Sequence, residues 1–379
     1  MNGRGSSWVV PALTIGCLMA AAIFFARDRW FMAAGWAGLS LVGLAMRLPR
    51  GRRAWFALAA IVLSVAGTMA SVFGLDLYLH HRFARGGGYN VWGYRGPAVG
   101  AKRPDERRLV MLGGSVAFGF GVAPDQTIPY FLEQRLNDPA GAHPISVVNL
   151  GWNSEGAYSF KFTLRDYEYL DYDGAVLYSG YNDLLDDNTV VFRHQSAVFR
   201  LTGYLPILPI VPIRQWLYLD DLSQETRNGH VVFRHGLADR YTAEATDMAL
   251  RIARALERQL GRLTPPEASA AERAPDCDAF GHYCQSVEVA AAYALSRGKQ
   301  VFVVTEPYKS DQHMRQQAAL AAMLRTRFAH EPRVHYVDTG RAVDLNDPSL
   351  SYDGLHLTAA GNARVADRLA PALRRVIGS

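Results

Sequence analysis

The stretch 108–121, RLVMLGGSVAFGFG, runs from a short apolar strand (108–112) straight into a glycine-rich turn that carries Ser115. A strand that ends in glycines and hands over to a segment of helical period, here 128–136, is the opening unit of an alternating α/β chain. The alternation continues downstream. Strand-like runs at 145–150 (ISVVNL), 174–179 (GAVLYS), 300–305 (QVFVVT) and 333–338 (RVHYVD) are interleaved with helical patterns at 157–170, 242–260, 287–295 and 312–329, and a helix at 358–377 closes the chain. Strands that are almost continuous apolar runs, alternating with helices, predict a mostly parallel five-stranded sheet covered on both faces, an α/β fold. In such sheets the chemistry gathers in the loops at the carboxyl ends of the strands.

Upstream of that unit the composition changes. The 379 residues hold 40 Lys/Arg and 35 Asp/Glu, yet residues 1–108 hold fourteen basic and four acidic side chains and the remainder 26 and 31. The basic excess therefore belongs to the N-terminal segment rather than to a globular surface, and nucleic-acid binding loses its support. A hydrophobic share of 49% excludes a disordered chain, and 3 Cys exclude a small disulfide scaffold. Three runs free of charge, 8–26, 30–46 and 54–75, have 19, 17 and 22 residues. A helix needs about twenty apolar residues to cross a bilayer, so these runs predict three transmembrane helices. The chain then divides into an anchor over 1–85, a linker over 86–107 and a large domain over 108–379. A cleaved signal peptide with two buried helices is the alternative, but Arg27 follows the first run directly, with no small-residue cleavage site after it. Arg47, Arg50, Arg52 and Arg53 crowd one short loop, which the positive-inside rule places in the cytoplasm together with the N-terminus. The large domain would then face the periplasm or cell exterior from the cytoplasmic membrane. Arg27, Arg29, Arg82 and Arg85 argue for the other orientation.

Two insertions interrupt the alternation. Residues 184–240 include LTGYLPILPIVPIRQWLYL, where Pro206, Pro209 and Pro212 forbid a regular helix. This apolar stretch suits a loop packed on the sheet, a lid, or a patch that touches the bilayer. Residues 263–284 read as a Pro/Ala-rich surface loop holding Cys277 and Cys284. A close pair in an exposed loop suits a disulfide in an oxidising compartment, or two free thiols. Asp276 and His282 lie near it, but a zinc site would lack a fourth ligand at usual spacing.

Three strand ends and loops carry polar groups. Ser115 lies in Gly113-Gly114-Ser115, which alone also suits a phosphate-cradling loop or a tight turn, although it matches neither a P-loop nor the Gly-x-Ser-x-Gly elbow. Gly180-Tyr181-Asn182-Asp183 follows the third strand and reads equally as a turn. Asp353-Gly354-Leu355-His356 precedes Thr358, a plausible N-cap for the last helix. A carboxylate three residues before a histidine can hold one ring nitrogen and leave the other to accept a proton from serine, although an incidental His in a capping loop has the same sequence.

Taken together, Ser115, Asn182 and Asp353-x-x-His356 stand in the order and spacing of the SGNH (GDSL-type) hydrolase superfamily, which the chain resembles from about residue 108 to its end. The resemblance implies a three-layer, flavodoxin-like α/β/α domain. It implies Ser115 as nucleophile, His356 as general base, Asp353 as its orienting carboxylate, and the Ser115 N–H with Asn182 as oxyanion donors. A glycine N–H completes that set, with Gly156 the first choice and Gly151 the second. Gly114 stands where the family usually has Asp, and the glycine after the second strand is displaced by about two positions. The resemblance implies a serine esterase without cofactor or metal, and an anchored domain facing outward favours an acylated glycan or lipid of the cell envelope as its substrate. Two alternatives remain: an O-acyltransferase that modifies an extracytoplasmic polysaccharide with the help of a partner protein, and a non-catalytic member that binds glycan.

Overall fold

The structure, a computed structural model, describes residues 52–85, 88–137, 144–184, 187–208 and 275–378, together with Cys17 and Met19. Helix α1 (Arg52–Arg85) leads into strand β1 (Arg107–Gly113). Four further strands follow: β2 (Ile145–Asn149), β3 (Gly174–Ser179), β4 (Gln300–Thr305) and β5 (Val334–Val337). They form one five-stranded sheet in the order β2-β1-β3-β4-β5, with every neighbouring pair parallel. Parallel neighbours need crossover connections, and here these carry the helices α2 (Ser115–Phe118), α3 (Ile128–Leu136), α4 (Phe160–Asp166), α5 (Ala197–Thr202), α6 (Gly281–Ser296), α7 (Asp311–Arg327) and, after the last strand, α8 (Ala359–Ile377).

The period-two pattern of the strands sorts their side chains into two cores. Val110, Leu112, Ala175, Leu177, Val301 and Val303 face one way and pack with Phe160 and Leu164 of α4 and Val287 and Ala291 of α6. Their neighbours Leu109, Met111, Val176, Tyr178, Phe302 and Val304 face the other way and pack with Leu132 of α3 and Val365 and Leu369 of α8. Helices on both faces make the predicted three layers. All five strands lie within a residue or so of their predicted bounds, and α3 spans residues 128–136 as expected. The predicted helix 157–170 is instead broken into 3-10 turns at Ala157–Ser159 and Glu168–Leu170 around the seven-residue α4. Tyr167 leaves helical geometry at φ −107, and its hydroxyl donates to the Trp92 carbonyl at 2.6 Å. The expected helix 242–260 lies outside the described residues.

Of the three expected spans, 8–26 and 30–46 lie outside the described residues, save that Cys17 and Met19 are helical. The third falls within α1, whose 24-residue stretch Leu58–His81 contains an 18-residue window of mean hydropathy 2.1, long and apolar enough to cross a membrane. It extends past the predicted end at residue 75. Its last turns dock on the domain. The Asp76 carboxylate accepts the backbone N–H groups of Ile207 and Leu208 at 2.9 and 2.6 Å and the Tyr204 hydroxyl. The His80 ring meets the carbonyls of Leu205 and Tyr89 at 2.8 and 3.1 Å.

Two expected loops are corrected by these contacts. Part of the predicted linker belongs to the domain, with Asn90, Tyr94 and Arg95 buried and Arg95 bridged to Asn149, the last residue of β2. The basic, glycine-rich composition hid this, because its buried groups bond to backbone rather than to a patterned apolar face. Residues 275–284, predicted as surface loop, are a 3-10 turn (Pro275–Phe280) and the start of α6. Cys277 and Cys284 form a disulfide with Cα atoms 6.4 Å apart, and both are buried in the core rather than exposed. Both sulfurs are taken up in that bond. In the 184–240 insertion, residues 196–208 place Phe199, Leu205 and Ile207 in the core and clasp the end of α1, while 209–240 lie outside the described residues.

Candidate active site

Strand β1 delivers its chain to the carboxyl edge of the sheet at Gly113, and Gly114 turns it into the four-residue helix α2 that Ser115 begins. A Cβ on Gly114 would run into Nδ2 of Asn182, so any larger residue there would have to displace that amide. That close approach puts the Asn182 amide against the backbone of the serine turn.

The loop 351–357 is pinched by a bridge between Ser351 and Leu357, and Thr358 caps α8 by accepting the Gly361 N–H at 3.2 Å. Its ends fixed, the loop turns His356 toward β1. His356 Nε2 lies 2.9 Å from Ser115 Oγ, and its Nδ1 lies 2.6 Å from Asp353 Oδ2. The other Asp353 oxygen accepts the backbone N–H groups of His356 and Leu355 at 2.6 and 3.0 Å. Partial burial pushes the Asp353 carboxyl up, but bonds from the His356 ring and these N–H groups outweigh it and hold it below the ordinary carboxylate range. With Asp353 ionised, the proton belongs on Nδ1 and a lone pair on Nε2 faces the serine. Phe120 and Tyr352 pack on the imidazole, with ring centroids 4.9 and 5.9 Å away.

Asn182 sits in the 3-10 turn Tyr181–Asp183 after β3 and donates to the Glu155 carbonyl at 2.9 Å. Gly156 follows that carbonyl, and a Cβ on it would meet Asp183 Oδ1 at 2.6 Å and Asn188 Cβ at 2.8 Å. Gly151 is different. Its N–H is committed to Asn149 Oδ1 at 3.0 Å, and its Cα is wedged beneath α2 against the Phe118 nitrogen. Ser115, His356, Asp353 and Asn182 thus lie together at the carboxyl edge of the sheet, Gly156 follows the carbonyl that Asn182 binds, and Gly151 packs beneath α2.

Two further groups brace these loops without any signal in the sequence. The buried Asp183 carboxylate accepts the Ala157 N–H through both oxygens at 3.2 Å, tying the turn of Asn182 to the loop of Gly156. Burial pushes its carboxyl up to about 7, with the Ala157 N–H acting against this and Asp187 and Glu155 adding to it. Arg95 sends its guanidinium under α2 to the carbonyls of Phe118 at 2.6 Å, Gly119 and Val122. Among the described residues no group of three or more His, Cys, Asp or Glu side chains gathers as a metal site.

No family model matches the chain. No curated protein matches it either. Among solved structures, the chain is similar to a lipase/acylhydrolase from Enterococcus faecalis, at 12% identity and a TM-score of 0.38, covering 71% of this chain and 96% of that one. It is also similar to a family 3 carbohydrate esterase from Clostridium thermocellum, at 12% identity and a TM-score of 0.40, covering 72% and 99%. A family two carbohydrate esterase from the same organism, in complex with cellohexaose, matches at 11% identity and a TM-score of 0.40, covering 74% and 67%. Likeness at this level assigns neither activity nor substrate to this chain.

Proposed function

We propose that this chain is a serine esterase of the SGNH type that removes acetyl or longer acyl groups from a glycan or lipid of the cell envelope. The observation that supports it is the hydrogen-bonded path from Asp353 through His356 to Ser115, 2.6 and 2.9 Å between heavy atoms, joining residues 241 apart in sequence. A serine hydroxyl is a weak nucleophile until a base accepts its proton during attack. His356 Nε2 takes that proton as Ser115 Oγ bonds to the ester carbonyl carbon, and Asp353 stabilises the imidazolium that forms. The carbonyl π pair moves to its oxygen, which meets the backbone N–H groups of Ser115 and Gly156 and the Asn182 amide. One such donor is worth roughly 3 kcal/mol of transition-state stabilisation. As the tetrahedral adduct collapses, the bond to the alcohol oxygen breaks and the Nε2 proton leaves with the alcohol. Water then attacks the acyl-enzyme by the same route and frees Ser115.

In this proposal α1 is a membrane-spanning segment and the domain lies outside the cytoplasmic membrane. A disulfide between Cys277 and Cys284 suits an oxidising compartment. Ser115→Ala and His356→Ala should each abolish turnover of an aryl acetate with the melting temperature retained, and Ser115→Ala should also abolish labelling by a fluorophosphonate probe. Full turnover in a folded Ser115→Ala protein ends the proposal. Acylated sugar formed when a glycan acceptor is supplied would identify the reaction as transfer rather than hydrolysis.

A further inference from the structure

We infer that Arg95 is a positioning residue for the Ser115–His356 pair, because it fixes the turn 118–122 on which both side chains depend. The inference rests on the serine-esterase reading. Helix α2 has four residues, too few to hold its own shape through internal hydrogen bonds. Its carboxyl end is held from outside instead. Arg95 Nη1 donates to the carbonyls of Phe118 and Gly119, and Nη2 to that of Val122. The guanidinium also lies 4.3 Å from the centre of the Phe118 ring.

The opposite side of the same turn is held by the His356 loop. The Tyr352 hydroxyl donates to the Phe120 carbonyl at 2.8 Å, and the Tyr352 and Phe120 rings both pack on His356. A shift of the turn therefore moves Ser115 through α2 and His356 through its two aromatic neighbours at once. Arg95 is itself anchored, since its backbone N–H bonds to the Asn149 carbonyl at 3.0 Å at the end of β2. Its guanidinium works through the backbone carbonyls of Phe118, Gly119 and Val122. Burial draws its guanidinium down to about 10, which still leaves it charged near neutrality. The fork matters as much as the charge. Two nitrogens at fixed spacing serve three carbonyls, whereas a lysine brings one nitrogen.

The test compares the wild-type full-length chain in detergent with Arg95→Ala and Arg95→Lys. It measures aryl acetate kinetics, the rate of fluorophosphonate labelling of Ser115, and thermal melting. Misplacement of reacting groups acts on the chemical step, so Arg95→Ala should lose roughly tenfold or more in kcat with KM within about twofold. Labelling should slow in the same proportion, Arg95→Lys should fall between, and added guanidinium ion should restore part of the Arg95→Ala activity. A folded Arg95→Ala protein with wild-type kcat and labelling overturns the inference, as does a loss confined to KM. If Arg95→Ala fails to fold, Arg95→Lys decides: full kcat at an unchanged melting temperature overturns the inference, and reduced kcat supports it. Wild-type protein that neither labels nor turns over ester is a separate outcome, which removes the esterase reading and this inference with it.

Discussion

Glu306 lies at the end of β4, fully enclosed, with the Tyr181 N–H bonded to its carboxyl at 2.7 Å. Burial pushes that carboxyl from 4.5 up to about 8, although the Tyr181 N–H favours the charged form. In the unfolded chain the group ionises near 4.5, while the folded chain keeps its proton until about 8. Between those values the folded state binds more protons, so stability falls as pH rises. Asp183, raised by burial from 3.8 to about 7, acts in the same direction. Glu306→Gln keeps an oxygen for the Tyr181 N–H and removes the titration. Its advantage in melting temperature over wild type should grow from about pH 5 to about pH 8. An advantage that stays flat across that range would show that Glu306 does not hold its proton. These carboxyls, like Arg95, were illegible in the sequence. Ser115 and His356 stand out as candidates because strand, glycine turn and Asp-x-x-His leave a linear trace, whereas Arg95 and Asp183 bond to backbone groups that any sequence supplies.

The strands were legible because buried parallel strands are nearly pure apolar runs, and α3 and α8 because their apolar faces recur at helical spacing. The segment 157–170 misled for the same reason. Its apolar period is real, yet Tyr167 trades helical geometry for a hydrogen bond to Trp92, which no local pattern records. The stretch 275–284 misled by composition, since proline, alanine and aspartate suggest exposure where a buried disulfide draws the turn into the core. That bridge closes a short loop, with the cysteines seven positions apart, so the chain-entropy model gives it about 2–3 kcal/mol. Cys277→Ala/Cys284→Ala should lower the denaturant midpoint accordingly, and a reductant should lower the wild-type midpoint but not that of the double variant. Equal midpoints for wild type and double variant would mean the bridge contributes nothing.

The charge asymmetry of the whole chain proposes a direction. In the proposed topology the cluster Arg47–Arg53 lies in the cytoplasm and α1 crosses the bilayer, which would expose the domain outside the cytoplasmic membrane. Protease added to intact spheroplasts should digest the domain, and protection until the membrane is broken would reverse the orientation. How freely the domain moves there depends on its junction with α1. A Gly/Ser tether would let a domain wander over tens of ångströms. Here Asp76 and His80 bond to residues 205–208 and Tyr89, so the last turns of the helix are fastened to the domain. An enzyme mounted in this way works like a tool on a rigid mast, at a set height and tilt above its platform, and its customers must come to that altitude. In the proposed topology, chemical groups borne at other depths of the envelope would be out of range however abundant they are.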